Sequence, residues 1–172
     1  MKLNRNIILL VAGLALAACT NPARFGTDGT GSGAAGSGSG AVVAGSANDP
    51  TSAAYFNATV GDRVLFAVDE STVNDAGRAT LDGQAAWMIN NTDYTAVIEG
   101  HADEQGTREY NLALGAQRAD AARAYLVSQG VQSRRLQVVS YGKERPIAIC
   151  SEESCYAENR RAVTVLASGL SG

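Results

Sequence analysis

The chain has 172 residues, with 17 acidic and 14 basic side chains and a formal net charge of −3. Proteins that bind nucleic acids carry an excess of Lys and Arg to neutralise phosphates, so this charge argues against a nucleic-acid partner. About 115 residues remain once the first 18 residues and a Gly/Ser-rich stretch are set aside. That length suits one domain with a single core and is too short for two.

The N-terminus has the pattern of a lipoprotein signal peptide. Lys2 and Arg5 precede an apolar run over residues 6–18, which ends Leu16-Ala17-Ala18 directly before Cys19. The run is too short to span a bilayer as a stable helix. We expect residues 1–18 to be removed and the Cys19 thiol to carry a lipid; the alternative is an ordinary signal peptide with a cysteine at the cleavage site. A lipid anchor implies a bacterial protein on a membrane surface, in an oxidising compartment.

Residues 19–50 are predicted to be the lipidated cysteine and a flexible Gly/Ser-rich tether. Residues 27–40 contain no large apolar side chain to bury. Gly31, Gly33 and Gly36 match the spacing of a dinucleotide-binding motif, but that motif needs a strand before it and a helix after it. Neither is predicted here, so we expect no cofactor. About 30 flexible residues would have a root-mean-square span of ~30 Å.

Residues 55–168 are predicted to fold as one domain. In chain order the expected elements are a strand over 63–68, a helix from 75 to about 91, a strand over 94–100, a helix from 107 to 129, and strands over 136–142 and 161–166. The order β-α-β-α-β-β favours an α+β layer, with two main helices packed on one face of a small mixed sheet. The expected core positions of the helices are Leu81, Ala85, Met88, Ile89, Leu112, Ala116, Ala119 and Leu126.

Two further cysteines, Cys150 and Cys155, lie in a predicted long loop over residues 143–159. In an oxidising compartment a local disulfide is the expected state. A metal site is the alternative, but it would need two more ligands, and His101 is the only histidine of the chain. We therefore predict a disulfide and no metal.

Polar residues around the start of the second helix are the strongest candidates for a binding site. Asp103 lies in the preceding loop, and Asn111, Leu114 and Arg118 share one face of the helix. A carboxylate and a guanidinium at one place can hold a ligand that carries both an ammonium and a carboxylate. A salt bridge between Asp103 and Arg118 that only ties the loop to the helix explains the pattern equally well. The basic pair 160–161 could reach the same place.

Four segments in the same order resemble the OmpA-like domain, and more narrowly the family of peptidoglycan-associated lipoproteins of Tol–Pal systems. The resemblance extends over about residues 60–166 and fits the signal peptide and the tether. The segments run from Gly100 to Thr107, from Asn111 to Ala119, from Val139 to Pro146 and from Asn159 to Val163.

The resemblance implies non-covalent binding of the peptide stem of peptidoglycan, through the ammonium and carboxylate at the side-chain end of meso-diaminopimelate. It assigns that end to Asp103 and Arg118. Many family members carry an acid directly after Phe66, where this chain has Ala67, so Asp69 is the acid expected there. The further ligand-binding residues implied by the resemblance are Phe66, Asp69, Thr107, Asn111, Leu114 and Arg160.

The resemblance also implies the cellular setting. Thr20, rather than Asp, follows the lipidated cysteine, which by the family's sorting rule favours the outer membrane, with the domain facing the periplasm. A periplasmic Tol-system protein is the implied partner, and envelope integrity and cell division are the implied roles. We expect Asp103→Ala and Arg118→Ala to weaken wall binding while the domain stays folded.

Two other functions remain as alternatives. An envelope enzyme would have to be built around His101, Asp103 and Glu104, and no serine or free thiol is obviously paired with the histidine. A structural hydrogen-bond donor in the loop is the expected role of His101. A purely protein-binding adaptor is the other alternative, and it predicts no affinity for the wall.

Overall fold

The computed structural model describes residues 42–168. The predicted signal peptide, the predicted lipid site Cys19 and the tether up to residue 41 lie outside the described residues. The first described segment forms turns in which the Asp49 carboxylate accepts hydrogen bonds from the Gly45 and Thr51 amides, at 2.8 and 3.0 Å. The indole of Trp87 donates to the Pro50 carbonyl at 2.7 Å. Hydrogen-bonded structure therefore begins several residues before position 55.

The described chain contains four helices and four strands, which confirms the predicted α+β class. Two short helices, α1 and α4, were not predicted, because three and seven residues are too few to show a helical repeat of apolar side chains. Within residues 42–168, no helix is long and apolar enough to cross a bilayer. The elements are α1 (Ala53–Tyr55, continued by a π-helical segment Phe56–Gly61), β1 (Arg63–Leu65), α2 (Asp75–Asn90), β2 (Tyr94–His101), α3 (Arg108–Ser128), a 3-10 turn (Ser133–Arg135), β3 (Leu136–Gly142), α4 (Glu153–Asn159) and β4 (Arg161–Ser168).

Each of the two long helices begins with a side-chain cap. Asn74 accepts a hydrogen bond from the Gly77 amide at 2.8 Å, and Thr107 accepts one from the Tyr110 amide at 3.2 Å. Each side chain satisfies a backbone donor that the first helical turn leaves without a partner. Helix α3 therefore starts immediately after the loop that contains Asp103.

The order of the strands places three connecting segments at one edge of the sheet. The order is β1-β4-β2-β3, with β4 antiparallel to both β1 and β2, and β2 parallel to β3. Strands β1, β2 and β3 therefore all end at the edge where β4 begins. The chain that follows β1, the chain that follows β2 and the chain that precedes β4 meet there, beside the first turns of α3.

The core lies between the sheet and the helices α2 and α3. Helix α3 approaches β2 so closely that a Cβ atom added to Gly100 would lie 1.8 Å from the Gly115 carbonyl oxygen. Side chains larger than hydrogen are excluded at this crossing. The largest apolar side chains of the core with less than 2% exposure are Phe56, Leu81, Met88, Ile98 and Leu126.

Two predicted core positions are wrong. Ile89 is 46% exposed, because the π-helical segment covers Trp87 instead, with the Phe56 and Trp87 rings 5.0 Å apart. The spacing of apolar residues along α2 does not reveal this contact, which places Trp87 rather than Ile89 in the core. Leu112 is 49% exposed, because it lies beside β3, an outermost strand of the sheet.

Candidate functional site

Arg118 is a fully buried charged residue at this edge of the sheet. Its side chain is 0% exposed, and its guanidinium donates to three backbone carbonyls: Glu70 from Nε at 2.7 Å, His101 from Nη1 at 2.9 Å and Ala67 from Nη2 at 3.1 Å. The guanidinium carbon also lies 5.4 Å from the centre of the Phe66 ring. Arg118 thus connects α3 to the turn after β1 and to the end of β2.

Asp103 pairs with Arg160 and not with Arg118. Its Oδ2 accepts from Arg160 Nη1 at 3.0 Å, and its Oδ1 accepts from the Gln105 amide at 3.2 Å. Arg160 Nε donates to the Phe66 carbonyl at 3.2 Å, and Arg160 Nη2 donates to the carboxylate of Glu153. Both Asp103 and Arg160 are buried, so this ion pair is largely removed from water.

The surroundings shift the pKa values of Arg118 and Arg160 in opposite directions. Burial lowers the pKa of Arg118 to about 10, although the nearby charge of Asp103 acts in the opposite direction. Burial also acts to lower the pKa of Arg160, but hydrogen bonds to Glu153 and Asp103 outweigh it, so that this pKa lies above its ordinary value. Both guanidinium groups are therefore cationic at neutral pH.

The remaining predicted ligand residues surround this centre. Asn111 is buried and donates to the Gln105 carbonyl at 2.6 Å, which fixes the loop after β2. Leu114 is buried on the same face of α3, whereas Thr107, the helix cap, is exposed. Asp69 lies in the turn after β1 with φ of +56° and accepts from the Tyr110 hydroxyl at 3.2 Å. An aspartate tolerates this left-handed conformation better than most residues.

Two residues at the site were missed by the sequence analysis. The Tyr110 hydroxyl donates to Asp69. Tyr110 lies three residues after the cap Thr107, so helical spacing could have placed it beside the predicted ligand residues. Glu153 had no such signal. It lies between the two cysteines, in a segment predicted to be a loop, and the helix α4 that begins at Glu153 brings it close to Arg160.

The structure joins Cys150 and Cys155 in a disulfide, with their Cα atoms 5.8 Å apart. The bridge spans the start of α4. At the other end of α4, Asn159 accepts from the Ile147 amide at 2.8 Å and donates to the Glu104 carboxylate at 3.1 Å. The cysteine loop is therefore attached to the loop that contains Asp103.

His101 does not have the predicted role of a hydrogen-bond donor in the loop. It is the last residue of β2, it is 1% exposed, and neither ring nitrogen has a hydrogen-bond partner in the described chain. The ring stacks on Tyr141 at 5.6 Å, and Nε2 lies 3.6 Å from the Glu99 carboxylate. Burial, and then the charges of Arg161 and Arg145, lower the pKa of His101 to about 4. The imidazole is neutral at pH 7.

Among residues 42–168, no three His, Cys, Asp or Glu side chains are grouped as ligands of a metal ion. The polar groups at the sheet edge are instead two guanidinium groups with the carboxylates of Asp69, Asp103 and Glu153 around them. Such a set of charges suits an organic ion that carries both signs.

Comparison with known proteins identifies the family. Residues 65–160 match the OmpA family. A peptidoglycan-associated lipoprotein of Rhizobium meliloti (strain 1021) is 49% identical over 163 residues, which cover 95% of this chain and 88% of that protein. The chain belongs to the OmpA family, among its peptidoglycan-associated lipoproteins. A protein of the same name from Mesorhizobium japonicum is 48% identical, over 95% of this chain and 94% of its own length.

The fold of this family is also seen in a crystal structure. The peptidoglycan-associated lipoprotein of Burkholderia pseudomallei has a TM-score of 0.63 to this chain at 38% identity, covering 70% of this chain and 98% of that one. This similarity confirms the predicted OmpA-like fold.

Proposed function

We propose that this protein is an outer-membrane lipoprotein that binds the peptide stem of peptidoglycan without a covalent bond. The proposed ligand group is the side-chain end of meso-diaminopimelate, with its ammonium and its carboxylate. One observation carries the proposal: Asp103, Arg118 and Arg160 lie together at one edge of the sheet. The names of the relatives, peptidoglycan-associated lipoproteins, point to the same ligand.

The chemistry of the site supports binding of an ammonium by Asp103. A carboxylate has about four lone-pair positions, and only two of those on Asp103 are used, by Arg160 and by the Gln105 amide. The acid can therefore accept further hydrogen bonds from a ligand. In the proposed site Phe66, Asn111 and Leu114 line the pocket.

A ligand carboxylate is the proposed partner of the guanidinium groups. Arg118 uses three of its five N–H groups on backbone carbonyls, which leaves two for a ligand. Arg118 is fully buried and is bonded to the carbonyls of Ala67 and Glu70. The proposal therefore requires the turn over residues 67–70 to move before a ligand can reach Arg118. Asp69 and Thr107 belong to the rim of the proposed site, and a movement of the turn would carry Asp69 with it.

The proposed cellular role combines this binding with the lipid anchor. A lipid on Cys19 would hold one end of the chain in the outer membrane, while the domain holds the cell wall from the periplasmic side. We place the protein in a Tol–Pal-type system that supports envelope integrity and cell division, with a periplasmic Tol-system protein as its partner. This placement rests on the family to which the chain belongs.

We further propose that the protein is not an enzyme. The residue that a hydrolase would be built around, His101, faces Glu99 and Tyr141, while Asp103 is engaged with Arg160. His101 and Asp103 thus have different partners and do not form a pair that could transfer a proton between them. The competing proposals are an enzyme that acts on the wall and an adaptor that binds only proteins.

Cosedimentation separates these functions. The full chain, purified in detergent, is mixed with isolated peptidoglycan and centrifuged, and the supernatant is analysed for released wall fragments. We expect the protein in the pellet and no released fragments. Steady release of fragments would instead establish an enzyme, and a protein that stays in the supernatant would support the adaptor.

A further inference from the structure

One of the three contacts of the Arg160 guanidinium differs from the other two in the solvent exposure of its partner. Nε binds the Phe66 carbonyl, and Nη1 binds the buried carboxylate of Asp103. The third contact, from Nη2, is to the carboxylate of Glu153, a side chain that is 65% exposed. The buried guanidinium thus has two partners inside the protein and one that comes from the solvent side.

The contact with Glu153 is the one that can be exchanged at low cost. If Glu153 turns away, its carboxylate regains water and loses only an ion pair at the surface, which is typically worth below about 1 kcal/mol. Arg160 would keep Asp103 at Nη1, but its Nη2 group would lose its acceptor, and a donor without a partner on a buried side chain is unfavourable. A carboxylate that arrives from solvent can therefore take the place of Glu153. The three hydrogen bonds of Arg118 cannot be exchanged in this way, because their acceptors are backbone carbonyls, and a ligand would meet only its two remaining N–H groups.

The chain holds Glu153 in this position by means of the cysteine loop. Glu153 is the first residue of α4, which has only seven residues and no side-chain cap at Glu152. So short a helix is not stable by itself. The disulfide between Cys150 and Cys155 encloses its start, and the Asn159 amide anchors its end. Glu153 is thus placed over Arg160 by covalent and hydrogen-bonded constraints.

We propose that Glu153 is a specificity-determining residue: its carboxylate occupies the position on Arg160 that the carboxylate of the bound stem peptide takes, and it competes with that ligand. The proposal rests on the proposed function. In the ligand-free protein Glu153 neutralises Arg160, so weak or singly charged anions gain little by binding there. Only a ligand that brings its carboxylate together with an ammonium for Asp103 gains enough to displace it.

The test measures the affinity of the full chain for a soluble tripeptide stem that ends in meso-diaminopimelate. Glu153→Gln keeps the shape of the side chain and removes its charge. We expect this variant to bind about three- to fivefold more tightly than the parent, the scale of one exposed ion pair. The matched control is Glu152→Gln, which removes an equal charge one residue away; within the described chain Glu152 forms no ion pair. We expect it to change the Kd by less than about twofold.

A second ligand distinguishes competition from a general effect of charge. When the side-chain carboxylate of diaminopimelate is amidated, nothing competes with Glu153 for Arg160, so the parent and Glu153→Gln should bind this peptide equally. If Glu153→Gln binds the acidic peptide no better than Glu152→Gln does, or gains equally with the amidated peptide, the competition does not exist. If the parent binds neither peptide nor wall, the proposed function itself is wrong.

Discussion

At the scale of single residues, Arg118 combines a proposed ligand role with a structural one. Its guanidinium donates to three backbone carbonyls, two in the turn after β1 and one at the end of β2. Without those N–H donors the buried carbonyl of His101 would have no partner, whereas those of Ala67 and Glu70, in an exposed turn, could bond water. Removal of this side chain is therefore expected to destabilise the domain as well as to weaken ligand binding.

We predict that Arg118→Ala lowers the free energy of unfolding by about 2 kcal/mol or more, because the buried His101 carbonyl loses its donor, at roughly 1–3 kcal/mol, and a fully buried side chain is removed. The measurement is urea denaturation followed by circular dichroism. Arg108→Ala is the control on the same helix, because Arg108 is exposed and only pairs with Glu144 at 3.1 Å. That variant should remain within about 0.5 kcal/mol of the parent. Equal stability of the two variants would show that Arg118 does not hold the loops.

His101 makes the stability of the domain depend on pH. Its pKa is about 4 in the folded protein, below the ordinary value of 6.5 that applies to the unfolded chain. Between these values the unfolded chain binds a proton and the folded one does not, so stability is complete above about pH 6.5 and is lost as the pH falls toward 4.

We predict that this residue costs the parent about 2 kcal/mol of unfolding free energy between pH 7 and pH 5, from roughly 1.4 kcal/mol per pH unit below 6.5. In His101→Phe that part of the loss should disappear, while the carboxylates titrate as before. Since the ring nitrogens have no partner in the described chain, the phenyl ring should fit at pH 7 without a lost hydrogen bond. Parallel stability curves for the two proteins would contradict the lowered pKa of His101.

At the scale of elements, the site depends on how closely α3 lies against β2. Gly100 and Gly115 face each other at the crossing, and a Cβ atom added to Gly115 would lie 2.4 Å from the Ser140 hydroxyl oxygen. The backbones therefore meet without intervening side chains. This contact brings the start of α3, with Thr107 and Asn111, to the loop after β2.

We predict that Gly100→Ala destabilises the domain by about 3 kcal/mol, the upper part of the range for overpacked cores, because the added methyl group meets backbone atoms. Gly83→Ala is the control in α2, where the nearest atom to an added Cβ is the Val60 side chain at 3.5 Å. An exposed helical glycine replaced by alanine should gain about 0.5–1 kcal/mol. Thermal unfolding of both variants tests this; a harmless Gly100→Ala would mean that α3 and β2 lie further apart.

The long elements could be predicted from the sequence because their signals are local. Asn74 and Thr107 mark the starts of α2 and α3, a short apolar run marks β2, and alternating apolar and polar residues mark β4. Leu81, Ala85 and Met88 of α2 are buried as predicted. The burial of Trp87 rather than Ile89 could not be predicted, because it depends on the contact of Trp87 with Phe56. Short elements such as α4 are fixed by a disulfide and by tertiary hydrogen bonds, which leave no repeat in the sequence.

At the scale of the whole molecule, the four strands bring distant parts of the chain to one edge of the sheet. Asp103 and Arg160 are 57 residues apart in sequence and form a buried ion pair. The residue types of the site were recognisable from the sequence, because they occur in motifs shared with a family. Their pairing was not, since Asp103 was expected beside Arg118 and its direct partner is Arg160. Which arginine meets which acid depends on the register of β4 against its neighbours.

The central claim is that this edge of the domain holds the diaminopimelate end of the stem peptide. The most direct measurement is an NMR titration of the protein with a tripeptide stem that ends in meso-diaminopimelate, in which backbone amide shifts are mapped. We predict saturable shifts concentrated in residues 66–70, 101–107 and 153–160, and their loss in Asp103→Asn. Shifts confined to another part of the domain, or an Asp103→Asn variant that responds like the parent, would contradict the account.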